Sequence, residues 1–208
     1  MNLKNNKIIN NILASRGKLP HIKTPLNKCD EEGGCGVTGF ISSIPIKGRH
    51  IYEPSVQMHN RGNGKGGGIA AVGLSPEDLG VPKEILEDHY LLQVSYLDKG
   101  SVKEVESTNI TNVFDIYKAQ KIPTIENYRD IGLEVEPPDV WQYFVRVKPD
   151  KLQQFIKASN LQSLDIRKAE DEFVFQNSVN LNHNYYASLG EKQAFVMSHG
   201  RNVMILKI

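Results

Sequence analysis

The hydrophobic residues of this chain are spaced unevenly, and their spacing predicts where ordered structure begins. Residues 1–34 are polar and rich in Asn and Lys, which indicates a loosely ordered leader. An apolar run punctuated by glycine then extends from Cys35 to Ile41 (CGVTGFI) and is typical of a buried strand. Beyond it, residues 53–59 predict a short helix, residues 59–68 form a Gly-rich loop, and residues 69–73 predict the next strand.

The middle of the chain alternates strand and helix patterns. Leu152, Phe155 and Ile156 fall at i, i+3 and i+4, which is one face of a helix. The successive patterns predict helices at 82–88, 101–106 and 149–160, and strands at 90–97, 112–118, 141–147 and 172–181. Their order is that of a ferredoxin-like βαββαβ unit. Two final apolar runs, 193–198 and 202–208, predict a hairpin around residues 199–201.

Composition and charge exclude several classes of protein. Hydrophobic residues at 39% and charged residues at 24% are typical of a globular domain. A net charge of +1 argues against a chain that coats nucleic acid or an anionic membrane. No apolar stretch approaches the ~20 residues of a membrane span. No secretory signal precedes the apolar runs, so we expect a cytoplasmic protein with free thiols.

Cys35 is the first candidate for chemistry. A lone cysteine in an apolar run is commonly a small buried core residue. Here, however, the residues on both sides are glycines, which leave the backbone sterically open. If the Gly34–Cys35 bond were cut, Cys35 would carry a thiol and a free α-amine of pKa ~8. The amine could take the proton of the thiol, and the thiolate would then attack a carbonyl carbon.

The Gly-rich loop at 59–68 allows more than one interpretation. Its backbone N–H groups could cradle a phosphate, but Lys65 is followed by glycine, which departs from the phosphate-binding loop pattern. A close-packed turn beside the Cys35 strand is the alternative, with Arg61 either paired to a carboxylate or solvated. His59 is expected to be a hydrogen-bonded structural residue. The six histidines lack ligand spacing, so no metal site is predicted.

Two segments of the chain resemble a known family. The run from Cys35 to Ile41 is similar to the start of mature class II glutamine amidotransferases, Cys-Gly-(Ile/Val)-x-Gly. The run from Met58 to Ala70 (MHNRGNGKGGGIA) resembles their second segment, His-x-Arg-Gly followed by a Gly-rich stretch. The runs 171–175 and 194–202 also resemble the amidotransferase subunit of archaeal-type glutamate synthase.

The resemblance implies a fold and an activity. The fold would be α+β: an N-terminal-nucleophile αββα sandwich, incomplete here, with the ferredoxin-like unit inserted. Residues 1–34 would be a propeptide, 35–74 and 190–208 the amidotransferase core, and 75–189 the insertion. Cys35 would hydrolyse the side-chain amide of glutamine through a thioester, without a cofactor in this chain. Ammonia would pass to an FMN-dependent glutamate synthase subunit. The segment that would support substrate binding is Arg61, Gly62, Asn63 and Gly64.

The chain also departs from the family. A His-Thr-Arg segment that binds the glutamine carboxylate and a His-Asn-Gly segment that forms the oxyanion hole are both absent. The arginines that follow residue 60 have other contexts, and Asn63-Gly64 belongs to the earlier motif. Either the last apolar run is a terminal strand inserted in a sheet, or the chain is the front part of a longer protein. The alternative to an enzyme is therefore a catalytically inactive, amidotransferase-like binding or scaffold module.

Overall fold

The structure is a computed structural model that describes residues 35–58, 67–131, 135–186 and 190–207. Short 3₁₀ segments lie at Gly48–Ile51, Lys99–Ser101 and Tyr128–Ile131, and a π turn at Glu106–Ile110. The helices are α1 (Tyr52–Met58), α2 (Pro76–Leu79), α3 (Lys83–Asp88), α4 (Val102–Val105), α5 (Pro149–Ala158) and α6 (Ile166–Tyr185). The strands are β1 (Gly68–Val72), β2 (Tyr90–Tyr96), β3 (Phe114–Lys121), β4 (Asp139–Val147), β5 (Ala194–Gly200) and β6 (Val203–Lys207).

A four-stranded antiparallel sheet with the order β3-β4-β2-β5 organises the described chain. Along the chain its elements follow as β2-α4-β3-β4-α5-α6-β5, so a helical segment separates the first two strands and another separates the last two. This is the strand–helix alternation of a split βαβ arrangement. The predicted α+β class is therefore confirmed, whereas the N-terminal-nucleophile sandwich stays a prediction.

The predicted strand at 172–181 is wrong, because these residues form part of helix α6. Asp165 caps this helix: its side chain accepts hydrogen bonds from the N–H groups of Arg167 and Lys168. Val174 and Leu181, seven residues apart, are both fully buried, which is the spacing of one helix face and not of one strand face. The fourth strand of the sheet is Ala194–Gly200 instead.

The main core lies between one face of this sheet and the helices α4, α5 and α6. Alternate residues of β2, namely Tyr90, Leu92, Val94 and Tyr96, point into it. Leu152 of α5 and Val174 of α6 pack against them in the same cluster. A smaller cluster on the opposite face joins Leu91 and Phe144 to residues of the α2–α3 region.

The predicted terminal hairpin is also wrong, although both of its strands exist. β5 pairs with β2, and β6 pairs with β1 in a separate two-stranded sheet. The chain turns sharply between them, since a Cβ on Gly200 would lie 1.9 Å from Val203 Cγ1. Asn202 has a φ of 50°, and its side-chain oxygen accepts a hydrogen bond of 2.7 Å from the N–H of Leu74. This turn therefore attaches the β1–β6 ribbon to the larger sheet.

The segment from Cys35 to Met58 contains no buried residue. Its predicted strand at 35–41 is wrong, because this run has irregular structure with exposed apolar side chains such as Val37 and Ile41. The short helix is confirmed as α1. The division into leader, core and insertion stays a prediction. No helix in the described ranges is long and apolar enough to cross a membrane.

The helical assignment of residues 166–185 can be tested by three alanine substitutions. Leu181→Ala should lower the free energy of unfolding by about 2–5 kcal/mol, and Val174→Ala by less, because fewer carbon atoms are removed from the same packed face. Val179, which is 48% exposed, is the control, and Val179→Ala should stay within about 0.5 kcal/mol. Urea unfolding provides the measurement. A tolerated change at either buried position would indicate the alternating burial of a strand.

Candidate functional site

The Cys35 thiol is free and exposed. It is the first described residue and is followed by Gly36, which is partly exposed, in a stretch without helix or strand. A thiol in this position is open to solvent and to a substrate, in contrast to an inert cysteine packed in a core. The alternative that Cys35 is a small core residue is therefore not the arrangement in this structure.

The other predicted site residues cannot be placed. Arg61, Gly62, Asn63 and Gly64 lie outside the described residues, as does His59. The structure therefore does not bring them together with Cys35, and it does not separate them from it. Their supporting role stays a prediction from the motif.

The four described arginines that follow residue 67 are engaged elsewhere. Arg129 lies over the Tyr128 ring at 5.7 Å, and Arg167 donates a 3.2 Å hydrogen bond to the Glu87 carbonyl oxygen. Arg146 and Arg201 both form ion pairs with the carboxylate of Glu170. Within the described ranges, none of the hydrogen bonds or ion pairs of these arginines reaches the segment 35–58. None of these four arginines is thus placed to hold a substrate beside Cys35, whereas the exposed Arg49 lies in the same described segment as Cys35.

The carboxylate of Glu170 is the most strongly bound charged group that the structure describes. Glu170 is 3% exposed and lies in the first turns of α6. One of its oxygens accepts hydrogen bonds from Arg146 Nε at 3.0 Å and from the Val147 N–H at 3.2 Å. The other accepts one from Arg201 Nη2 at 3.0 Å. A buried carboxylate is stable only with such compensation, because desolvation of the charge is otherwise costly.

Arg201 is held on several sides of its guanidinium group. Nη1 donates to Asp171 Oδ1 at 2.6 Å, Nε donates to the Asp88 carbonyl oxygen at 3.2 Å, and Nη2 also donates to the Tyr90 hydroxyl. The guanidinium carbon lies 4.0 Å from the centroid of the Tyr90 ring, within the range of a cation–π contact. The planar fork of arginine suits this set of acceptors, and its role here is to join elements of the fold.

An open cleft of about 450 Å³ lies beside this network. Helix α6 and the end of β5 form its walls, and Tyr90 and Arg201 line it as well. Phe175 and His199 meet there edge to face, with ring centroids 6.2 Å apart. The charged lining residues are Lys168, Asp171, Glu172 and Arg201. The two positive and two negative charges of these side chains cancel, so the cleft lacks the basic excess that binds polyanions.

Burial perturbs three titratable groups around the network. It raises the pKa of the Tyr90 hydroxyl, which also donates a 2.7 Å hydrogen bond to Asp171. It lowers the pKa of His199, and it lowers the pKa of His89, to which the nearby Arg146 charge also contributes. Both histidines are therefore neutral at pH 7 and more resistant to protonation than a free imidazole.

Polar side chains are also buried on the opposite face of the sheet. The Gln93 amide and the hydroxyls of Ser95 and Ser198 have no hydrogen-bond partner among the described residues. Gln142 beside them accepts a 2.8 Å hydrogen bond from Gln120. No group of three or more His, Cys, Asp or Glu side chains in the described ranges is arranged to hold a metal ion.

Comparison with known proteins gives one distant relative. A protein from Archaeoglobus fulgidus, described as an uncharacterized protein, is 28% identical over 180 residues. The match covers 83% of this chain and only 39% of that protein, so the chain spans less than half of its relative. No protein-family model matches the chain, and no solved structure gives a significant match.

The network around Glu170 was not predicted from the sequence. Its partners come from β4, α6 and the turn after β5, so no local spacing signals it. The family resemblance did include part of this network. Of the runs that resemble the family, 171–175 and 194–202 meet here through the ion pair between Arg201 and Asp171. The structure thus brings the two runs together, one on helix α6 and the other on β5 and the turn after it.

Loss of the Glu170 charge should destabilise the fold. Glu170→Gln keeps the shape but leaves Arg201, whose side chain is 14% exposed, without its buried counter-ion. We expect a loss of roughly 3 kcal/mol in the free energy of unfolding, the low end for a broken buried pair, because Arg146 is partly solvated. Glu172→Gln, which removes the same charge from a partly exposed position of the same helix, should stay within about 0.5 kcal/mol. Equal effects of the two variants in chemical denaturation would contradict this account.

The lowered pKa of His199 should make stability depend on pH. Between the ordinary pKa and the lower folded one, the unfolded chain binds more protons than the folded chain, so stability falls as the pH falls through about 6.5. We expect the free energy of unfolding to decline from about pH 7.5 to 5.5, and His199→Gln to flatten that decline. His183→Gln, at an exposed position of α6, should leave the slope unchanged. A His199→Gln profile parallel to the wild type would contradict the prediction.

Proposed function

We propose that this chain is the glutaminase component of a class II amidotransferase, with Cys35 as its nucleophile after cleavage of the Gly34–Cys35 bond. The observation that carries the proposal is the exposed thiol of Cys35 in its glycine-flanked position. Exposure is required twice, because the preceding peptide bond must be cut and a substrate must then reach the sulfur. The resemblance of the runs 35–41 and 58–70 to the family supplies the reaction class.

The reaction needs only groups of the terminal residue for its proton transfers. The α-amine of Cys35 takes the proton of the thiol, and the thiolate attacks the side-chain amide carbon of glutamine. The protonated α-amine of Cys35 then gives its proton to the amide nitrogen of the substrate. The C–N bond breaks, ammonia departs, and the glutamyl group stays on the sulfur as a thioester. Water hydrolyses the thioester to glutamate and regenerates the thiol. An FMN-dependent glutamate synthase subunit is the proposed consumer of the ammonia.

The glycines on either side of Cys35 support this assignment on steric grounds. Without a Cβ at position 34 or 36, the backbone can adopt conformations that place the scissile carbonyl within reach of the thiol. After cleavage, the same freedom lets a substrate amide approach the sulfur closely. Cys29, the other cysteine, would be lost with residues 1–34 and cannot serve as the nucleophile.

A specific observation favours a second candidate, the inactive binding or scaffold module. Arg146 and Arg201 form ion pairs with Glu170, and Arg167 contacts the end of α3. Three of the five arginines in the described ranges are therefore engaged within the fold and are not free to bind a substrate carboxylate. Loss of a single oxyanion donor costs ~10²–10³ in rate, so the chain alone should turn over glutamine poorly even if the proposal is right.

Covalent trapping separates the two candidates independently of turnover. We expect the intact mass of the purified chain to show removal of residues 1–34. A glutamine analogue with an electrophilic diazoketone in place of the amide should then label Cys35, and excess glutamine should slow the labelling. Cys35→Ala should abolish labelling, whereas Cys29→Ala should not affect it. A retained leader, or labelling that glutamine does not slow, would favour the inactive module.

A further inference from the structure

The outer edge of β1 has no strand beside it in the described part of the chain. All five residues of this strand, Gly68–Val72, are uncharged, and the strand contains no proline. Val72 is 77% exposed and Ile69 is 36% exposed. β1 pairs with β6 on one side only, so the N–H and C=O groups along its other side have no strand partner among the described residues. An exposed, uncharged edge of this kind is a template for another strand.

The edge strand β3 of the larger sheet differs from β1 in having charged residues and an irregular register. It carries the charged residues Asp115, Lys118 and Lys121, and its register shifts between Ile116 and Lys118. Lys118 also reaches out of the strand to donate a 2.7 Å hydrogen bond to the Leu79 carbonyl oxygen. Charges and bulges are the usual devices against edge-to-edge pairing. Within the described residues, the edge at β3 is therefore protected by charges and a register shift, and the edge at β1 has neither.

The β1–β6 ribbon also needs further support. A two-stranded ribbon is marginally stable by itself in water, and three or more strands are the usual minimum. Its register runs from Gly68 opposite Lys207 to Val72 opposite Val203, so the ribbon is five residue pairs long. Most of β1 is solvent-exposed on its side chains as well as on its outer edge. A third strand at this edge would supply the missing ladder.

We infer that a second copy of this chain adds its own β1 to this edge in antiparallel orientation, which creates a four-stranded sheet with the order β6-β1-β1-β6. An identical strand is complementary to itself about a two-fold axis, and two-fold dimers are the commonest oligomers. With the axis at Ala70, Gly68 of one copy lies opposite Val72 of the partner subunit. Small side chains at 68, 70 and 71 allow the backbones to approach.

The charge of the chain is compatible with self-association. The net charge is +1, and no residue of β1 carries a charge, so neither long-range nor local repulsion opposes pairing. The pairing of two five-residue strands is small beside the 1,200–2,000 Å² typical of stable interfaces, so we expect a dissociation constant of about 1–100 µM. The pairing uses no atom of Cys35, so the inference stands whether or not Cys35 is a nucleophile.

Charge substitution at the two-fold axis tests this inference. Sedimentation equilibrium of the full chain over about 5–500 µM should show a monomer–dimer equilibrium. Ala70→Lys and Ala70→Glu each place like charges opposite one another, which is destabilising in a cross-strand pair, and each should weaken the dimer at least about tenfold. A 1:1 mixture of the two variants should restore association through opposite charges. Ala70 is exposed, so both variants should keep the wild-type circular dichroism spectrum.

The matched control is Ala119→Lys, since Ala119 is an exposed alanine on the edge strand β3. It should leave the dissociation constant unchanged. Three results would overturn the inference: a monomer at every concentration, a dimer that both Ala70 variants leave intact, or a mixture of variants that associates no better than either one alone. The first result would be expected if another segment of the same chain already covers the edge of β1.

Discussion

The buried carboxylate of Glu170 is the interaction on which the described structure depends most. A charged group at 3% exposure is tolerated only if its hydrogen-bond acceptors are filled. Glu170 meets this requirement with three donors from two places along the chain, namely Arg146 and Val147 of β4 and Arg201 after β5. The start of α6 is thereby attached to both the centre and one end of the sheet, and the cost of burying the charge enforces that arrangement.

The position of the smaller ribbon follows from the same constraint. Arg201, which binds Glu170, is the first residue after β5, and Gly200 permits the turn there because a Cβ on it would collide with Val203. The next residue, Asn202, then accepts hydrogen bonds from the N–H groups of Gly73 and Leu74. This single turn therefore provides the Arg201 donor for the Glu170 carboxylate. It also ends β5 and brings β6 beside β1.

Local sequence patterns correctly predicted the elements whose buried positions follow from the apolar spacing within the element itself. Apolar alternation located β2 and β4 to within two residues, and helical periodicity located α5. The pattern failed at 172–181, where aromatic and β-branched residues such as Phe173 and Val174 favour a strand locally. Packing of the buried face against the sheet and the cap at Asp165 instead favour a helix. Tertiary contacts outweighed propensity there, as they commonly do.

Long-range pairing explains the other failures. The apolar run at 35–41 was expected to be buried, but burial of a strand requires a neighbour on at least one side, and no spacing within the run identifies one. In the same way, β5 and β6 look like a hairpin because they are close in sequence, yet each pairs with a strand about a hundred residues or more earlier in the chain. The candidate nucleophile could be identified from its glycine neighbours, whereas the Glu170 network could not.

The exposed position of Cys35 has a consequence for how a site around it would be assembled. A nucleophile whose base belongs to the same residue needs no second side chain to accept its proton. It still needs groups that hold the substrate carboxylate and that stabilise the oxyanion, since these interactions supply much of the rate. Three described arginines, Arg146, Arg167 and Arg201, are bound within the larger sheet and its helices, where removing any of them would unpair a charge. In the proposed enzyme, the substrate-binding groups would therefore come from outside this ion-pair network, and the stability of the fold and the completion of the site would be separate problems.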